Sequence, residues 1–304
     1  MKKFVNVLLL TLFITHFTLL TVFFVRNFNT IAHAKINFTR QVPLDIENPS
    51  ELRDFEVTSK NKADKITVLM YHRIIDDKDL VANHYDETGN LHGTIVTLSQ
   101  FKQQMKLLHD LKFNTLTMDE FQAFMKKDLE VPKNSVLITF DDGFKDNYMN
   151  AYKALKKYDF NATIFLISGR IDRDPRDYDP ADAQFLSVED IRQSTDVFSY
   201  YGHTHKFHER DEAGEAFLIS KEKKDIKKDL EKNFKIIGDS TAFAYPFGAY
   251  DENTLDVLKQ LDVEMAFTIR DGMAGPGNDM LEIPRRGVYP GTTLDIFEKL
   301  IIYE

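Results

Sequence analysis

Seven short apolar runs, at 66–71, 135–140, 162–168, 197–201, 241–245, 263–269 and 281–288, recur along the chain, each rich in β-branched or aromatic residues. Short runs with little polar alternation are the pattern of strands buried on both faces, and such strands are parallel. Amphipathic stretches lie between them. Phe101, Met105, Leu108 and Leu111 share one helical face, opened by Thr97 and Gln100 as a capping pair. Thr117 and Glu120 form the same box ahead of Phe121 and Phe124. Ile226, Leu230, Phe234 and Ile237 run as an apolar stripe through a Lys- and Glu-rich helix whose charges read as a solvated face. Strand then helix, repeated about seven times, predicts a parallel α/β barrel or a doubly wound sheet.

Composition narrows the chemistry. The 304 residues are 43% hydrophobic, enough for a sizeable core. A net charge of −9 with no Arg-rich stripe argues against nucleic acid as a partner. There is no cysteine, which excludes disulfides, thiolate nucleophiles and Cys-ligated zinc, so any metal rests on His, Asp or Glu. At the N-terminus Lys2 and Lys3 precede an uncharged apolar run, 4–25, closed by Arg26, and Ala32-His33-Ala34 offers a small-x-small cleavage site before Lys35. Residues 1–34 are therefore expected to be a signal peptide or a membrane anchor, placing the protein outside the cell or at its surface. Residues 35–64, polar and with Pro43 and Pro49, are expected to be a linker and surface segment, and 65–304 the strand-and-helix domain.

Two clusters carry chemistry. Thr139-Phe140-Asp141-Asp142-Gly143 follows an apolar strand, so both aspartates stand at a strand's C-terminal end, where parallel α/β folds gather their sites. Adjacent carboxylates repel, and a metal beside one, leaving the other as a base, relieves this; the bland alternative is an Asp-Asp-Gly turn capping a helix. Tyr201-Gly202-His203-Thr204-His205-Lys206-Phe207-His208 also follows a strand. His203 with His208, or His205 with His208, could join an aspartate as a catalytic two-nitrogen, one-oxygen site, against the alternative of a polar surface loop.

Together with Tyr245-Pro246-Phe247-Gly248, these segments resemble three motifs of the polysaccharide deacetylases, carbohydrate esterase family 4 with the NodB-homology fold. The likeness runs from about Ile66 to the C-terminus. It implies a distorted (β/α)7 barrel, Asp141 as base, and Asp142, His203 and His208 as ligands of a divalent metal, zinc first, with cobalt, nickel or manganese as alternatives. Within the family the chain is most similar to the poly-β-1,6-N-acetylglucosamine deacetylases of biofilms. It shares with them the opening Val68-Leu69-Met70-Tyr71-His72-Arg73-Ile74, the 101–124 region and four residues between the two histidines. The implied reaction releases acetate from an N-acetylglucosamine polymer; the Phe247 N–H is the candidate oxyanion donor, since Pro246 has none.

Two departures stand out. The family's Arg before the Pro-aromatic-Gly motif is absent; Arg285 or Arg286 is the candidate to steady the base, a surface turn being the alternative. No histidine follows His208, where the family places its general acid, and His72 is the candidate in its stead, against a packing role. Three functions are thus open: a biofilm-polymer deacetylase, the same chemistry on peptidoglycan or chitin-type chains, and a carbohydrate-binding module with an impaired centre.

Overall fold

The structure is a computed structural model that describes residues 13, 15–19, 21–23 and 43–302. The chain divides into two compact units, Met1–Val42 and Pro43–Glu304. The described residues of the first are helical; the rest of the expected signal or anchor lies outside the described residues. Among the described residues no helix is long and apolar enough to cross a membrane.

In the second unit the apolar runs become β1 (Thr67–Tyr71), β5 (Ser135–Phe140), β6 (Ala162–Leu166), β7 (Phe198–Gly202), β8 (Ala242–Ala244), β9 (Met265–Phe267) and β10 (Arg286–Gly287). All pair in parallel in the order β10-β1-β5-β6-β7-β8-β9. Winding one way in chain order with the last strand beside the first is barrel topology, as expected, and a doubly wound sheet would have reversed direction. Closure is incomplete. Phe267 on β9 bridges Ile283, whereas Leu69 on β1 pairs with Arg286, so the last strand is split around Pro284, which cannot donate to a ladder.

The apolar runs did not announce three short strands. β2 (Arg73–Ile75) and β3 (Ile95–Thr97) form a separate parallel pair, and β4 (Asn114–Thr115) adds to β5. Among the described residues eight α-helices accompany the strands: α1 (Leu98–Asp110), α2 (Met118–Lys126), α3 (Tyr152–Lys156), α4 (Val188–Arg192), α5 (Phe217–Ser220), α6 (Lys223–Ile237), α7 (Glu252–Gln260) and α8 (Leu294–Ile301). Thr117 and Glu120 make the full reciprocal box at α2. At α1 Thr97 caps the Gln100 amide, but the Gln100 side chain instead donates to the Tyr289 and Thr292 carbonyls. Leu111 ends α1 as its C-cap and is exposed, off the face expected for it.

Strand alternation sorts the core. Val68, Leu137, Phe165, Tyr201, Ala244, Phe267 and Ile283 share one cluster with Phe121 of α2, while Leu69, Tyr71, Ile138, Phe140, Leu166 and Tyr200 pack in a second one with Phe101 and Met105 of α1. The first set lines the barrel and the second meets the helices. The same inward parity places His72, Asp141 and His203 one residue past the ends of β1, β5 and β7, and Arg285 two residues after Ile283. Residues 43–64 carry no regular helix or strand, yet they are tied to the barrel rather than free. Leu44 is buried and its N–H donates to Ile236, Asn48 bonds the Tyr200 backbone, and Arg53 pairs with the buried Glu120 at 2.6 Å.

Candidate active site

Asp141 ends the inward face of β5, with its N–H donating to the Tyr71 carbonyl. Its neighbour would point outward by strand alternation. Asp142 instead adopts φ 73, a left-handed conformation that aspartate tolerates better than most residues, and Gly143 follows at φ 79. Two successive left-handed residues bring the second carboxylate back to the same end of the barrel. A Cβ at Gly143 would also lie 2.6 Å from the Leu166 Cδ2 methyl, which would have to shift.

Asp141 is almost fully buried and meets Arg285, which has no exposed surface, in a two-pronged pair: Nη1 to Oδ1 at 2.7 Å and Nη2 to Oδ2 at 2.8 Å. The guanidinium is itself fixed by Nε donating to the Thr268 carbonyl and Nη1 to the Thr139 hydroxyl. Burial would raise the Asp141 carboxyl, but Arg285, with His203 and His72 behind it, outweighs burial and holds it below the usual carboxylate range. Arg286, one residue on, points elsewhere and donates to the Leu300 carbonyl. His72 places Nε2 4.0 Å from Asp141 Oδ2 and is part-exposed.

Asp142, His203 and His208 offer one ligand atom each within 4.8 Å of one another. His203 Nδ1 lies 2.8 Å from the Ala244 carbonyl, which makes that nitrogen the protonated one and leaves Nε2 as a lone pair. This Nε2 faces Asp142 Oδ1 at 3.5 Å, and His208 Nε2 faces the same oxygen at 3.1 Å. Asp142 Oδ1 is buried with no hydrogen-bond partner. Acceptors turned toward one another fit a cation between them. Bonds of about 2.0–2.1 Å opened to a tetrahedral angle separate ligand atoms by about 3.3 Å, close to both distances. Burial would raise Asp142, but when the imidazoles of His203 and His208 carry protons they outweigh it and hold its carboxyl well below the ordinary range.

His205 stands apart from this group. It is buried, its Nδ1 is 3.1 Å from the Ser168 hydroxyl, and burial, helped by Lys232 and Lys206, pushes its pKa down to about 4. Phe247 adopts φ 59, and its ring lies 4.5 Å from the His208 ring with the Arg210 guanidinium 4.3 Å above it. Gly202 has no positive φ; instead a Cβ there would sit 2.5 Å from Asn233 and 2.7 Å from Phe234, so glycine makes room for α6 rather than for a turn.

A model of the polysaccharide deacetylase family matches residues 128–266. Over 253 residues the chain is 30% identical to the poly-beta-1,6-N-acetyl-D-glucosamine N-deacetylase of Staphylococcus aureus, covering 80% of this chain and 83% of that protein. This chain belongs to the polysaccharide deacetylases. The deacetylase superposes on the Streptococcus pyogenes deacetylase PplD, solved in complex with acetate, with a TM-score of 0.66 at 25% identity over 79% of this chain and 99% of that one. IcaB from Ammonifex degensii gives 0.64 at 23% identity, covering 79% and 98%, a likeness of fold.

Sequence reasoning missed the supports of the deacetylase's site. Asn147 donates to the His72 carbonyl, and Asp146 takes the Ile74 N–H and the Arg73 guanidinium, the latter at 2.8 Å. These bonds fasten the exit of β1 to the segment after the aspartates. Asp229 and Asn233 of α6 are buried, against the reading of that helix's charges as a solvated face. A signal existed: at 229 and 233 they fall beside Ile226, Leu230 and Phe234, within the apolar stripe itself.

Proposed function

We propose that the deacetylase removes acetyl groups from poly-β-1,6-N-acetylglucosamine, the biofilm polymer, outside the cell membrane, with a divalent ion, zinc by its donor set, held by Asp142, His203 and His208. One observation carries the mechanism: two adjacent aspartates at a strand end are given opposite partners, Arg285 for one and two imidazoles for the other. Such a split separates a base from a ligand. The ion, when bound, supplies Lewis-acid polarisation of the acetamide carbonyl and makes water acidic enough to lose a proton near neutral pH.

The protein's own groups supply the rest. Asp141, held ionised by Arg285, takes the proton of the attacking water as its oxygen bonds to the carbonyl carbon. The Phe247 N–H, at the left-handed turn beside His208, is assigned to the developing oxyanion. The C–N bond then breaks and the leaving nitrogen takes a proton, for which His72 is assigned. Acetate and a glucosamine unit with a cationic amine result. The 30% identity to the S. aureus enzyme supports the β-1,6-linked substrate, and the basic, apolar, small-x-small pattern of residues 1–34 supports export.

Acetate release from a β-1,6-linked N-acetylglucosamine oligomer, against chitin oligomers and peptidoglycan fragments, tests the proposal. Release from the β-1,6 chain should stop with chelator and return with zinc. Release confined to another polymer would move the substrate, and metal binding without release from any would favour the binding-module reading. A mature N-terminus at Lys35 in the exported protein would mark a cleaved signal, and a membrane-retained intact chain an anchor.

A further inference from the structure

The two histidines of the site are joined by residues 204–207, a loop without helix or strand, and something must hold it if His203 and His208 are to share one ion. Thr204 turns at φ 69 just after His203. From α6, Asn233 Nδ2 donates to the Thr204 carbonyl at 2.6 Å, and is also 3.1 Å from the Leu166 carbonyl and 3.0 Å from the Ser168 hydroxyl. One turn earlier, Asp229 Oδ2 accepts the His205 N–H at 2.7 Å and Oδ1 accepts the Lys206 N–H at 2.8 Å. From the β6 exit, Ser168 and Gly169 donate their N–H groups to the Thr204 and His205 carbonyls. The approach of Asn233 depends on the absent side chain of Gly202, the residue before His203.

We infer that Asp229 and Asn233 are positioning residues for the metal-ligand loop: one carboxylate and one carboxamide, four residues apart on α6, set the distance between His203 and His208. This rests on the metal-site reading above. Neither side chain belongs to the three-ligand group, so both act through the backbone they hold. Their chemistry is suited to this. A carboxylate presents two acceptors to two consecutive N–H groups, and a carboxamide nitrogen offers donors where three acceptors converge. A polar pair buried on a helix's apolar stripe is costly unless it is hydrogen-bonded, and here both Asp229 oxygens and the Asn233 nitrogen are, while Asn233 Oδ1 has no partner among the described residues.

Near-isosteric exchanges test the inference. Asn233→Asp turns a donor into an acceptor facing three acceptors, and Asp229→Asn sets an NH2 against a backbone N–H. Gly202→Ala should push Asn233 and Phe234 away by a different route. Zinc affinity of the purified full chain is measured by competition with a chromophoric chelator, beside thermal melts. Ser194→Ala, which removes a buried hydroxyl bonded to Tyr200, controls for general destabilisation. All three α6-loop variants should bind zinc roughly 10- to 100-fold more weakly, the range for groups that orient metal ligands, with Ser194→Ala unchanged. Wild-type affinity in Asp229→Asn and Gly202→Ala would overturn the inference even if Asn233→Asp fails to fold. So would an equal loss in Ser194→Ala. Absence of zinc uptake by the wild type, or full uptake by His208→Ala, would instead overturn the metal-site reading beneath it.

Discussion

Replacing Arg285 by Met removes the cation from the most enclosed charge in the site while keeping most of the side chain's volume. Both terminal nitrogens of Arg285 bind Asp141, at 2.7 and 2.8 Å, and neither residue has appreciable exposed surface. Deleting one partner of such a pair leaves a buried, unpaired charge, a loss of about 3–5 kcal/mol. In a domain of this size each kcal/mol lowers the melting temperature by about 2–4 °C, so a drop of about 6–20 °C is expected at neutral pH. The sign with pH follows from the carboxylate. In the wild type Asp141 lies below its ordinary value of 3.8, so its contribution is complete above that value and is lost as pH falls through the depressed one. Without Arg285, burial prevails and the carboxyl is raised instead; the variant's stability then falls as pH rises through that raised value. The deficit should therefore be widest at neutral pH and narrow on acidification. The acidic limb of the pH–rate profile should move to higher pH, because the base then protonates earlier. Melts of both proteins in chelator across the acid-to-neutral range, with rate profiles in zinc, measure this. A deficit that does not change with pH, or an unshifted acidic limb, refutes the idea that Arg285 compensates the charge of Asp141.

Zinc affinity should fall sharply in His203→Ala and little in His205→Ala, whose Nδ1 is turned to the Ser168 hydroxyl; titration showing the reverse order would assign the ligand to His205. Asp141→Asn should keep its zinc and lose turnover, and His72→Ala should keep its zinc while kcat falls by roughly 10²–10⁴-fold, as for loss of an acid–base group; near-normal kcat in His72→Ala would exclude it as the acid. Asp146, raised by burial to about 6 although Arg73 partly offsets this, should become harder to ionise in Arg73→Leu. That variant should lose about 3–5 kcal/mol at neutral pH and recover part of it as pH falls and Asp146 takes up a proton, by denaturant titration at two pH values; equal losses at both would count against the assignment.

The barrel and the clusters at 141–142 and 203–208 were legible in the sequence because they are local. Strands buried on both faces must be continuous apolar runs, and residues just past them land at the mouth of a parallel barrel whatever the rest of the chain does. Three matters waited on tertiary structure. Arg285 and Arg286 are equivalent in sequence; Pro284 splits the last strand, so its register is set only by contact with β1 and β9, and the Asp141–Arg285 pair joins positions 144 apart. His205 sits between His203 and His208 and is turned to Ser168, because Thr204 takes a left-handed φ and α6 fixes the backbone after it. Asp229 and Asn233 look like ordinary polar residues of a charged helix until packing places them on its buried side, and Gly202 is required by a side chain 31 residues away. A pattern read along one segment shows which face is buried, but which polar group answers another across the barrel depends on contacts made only when the whole chain has closed.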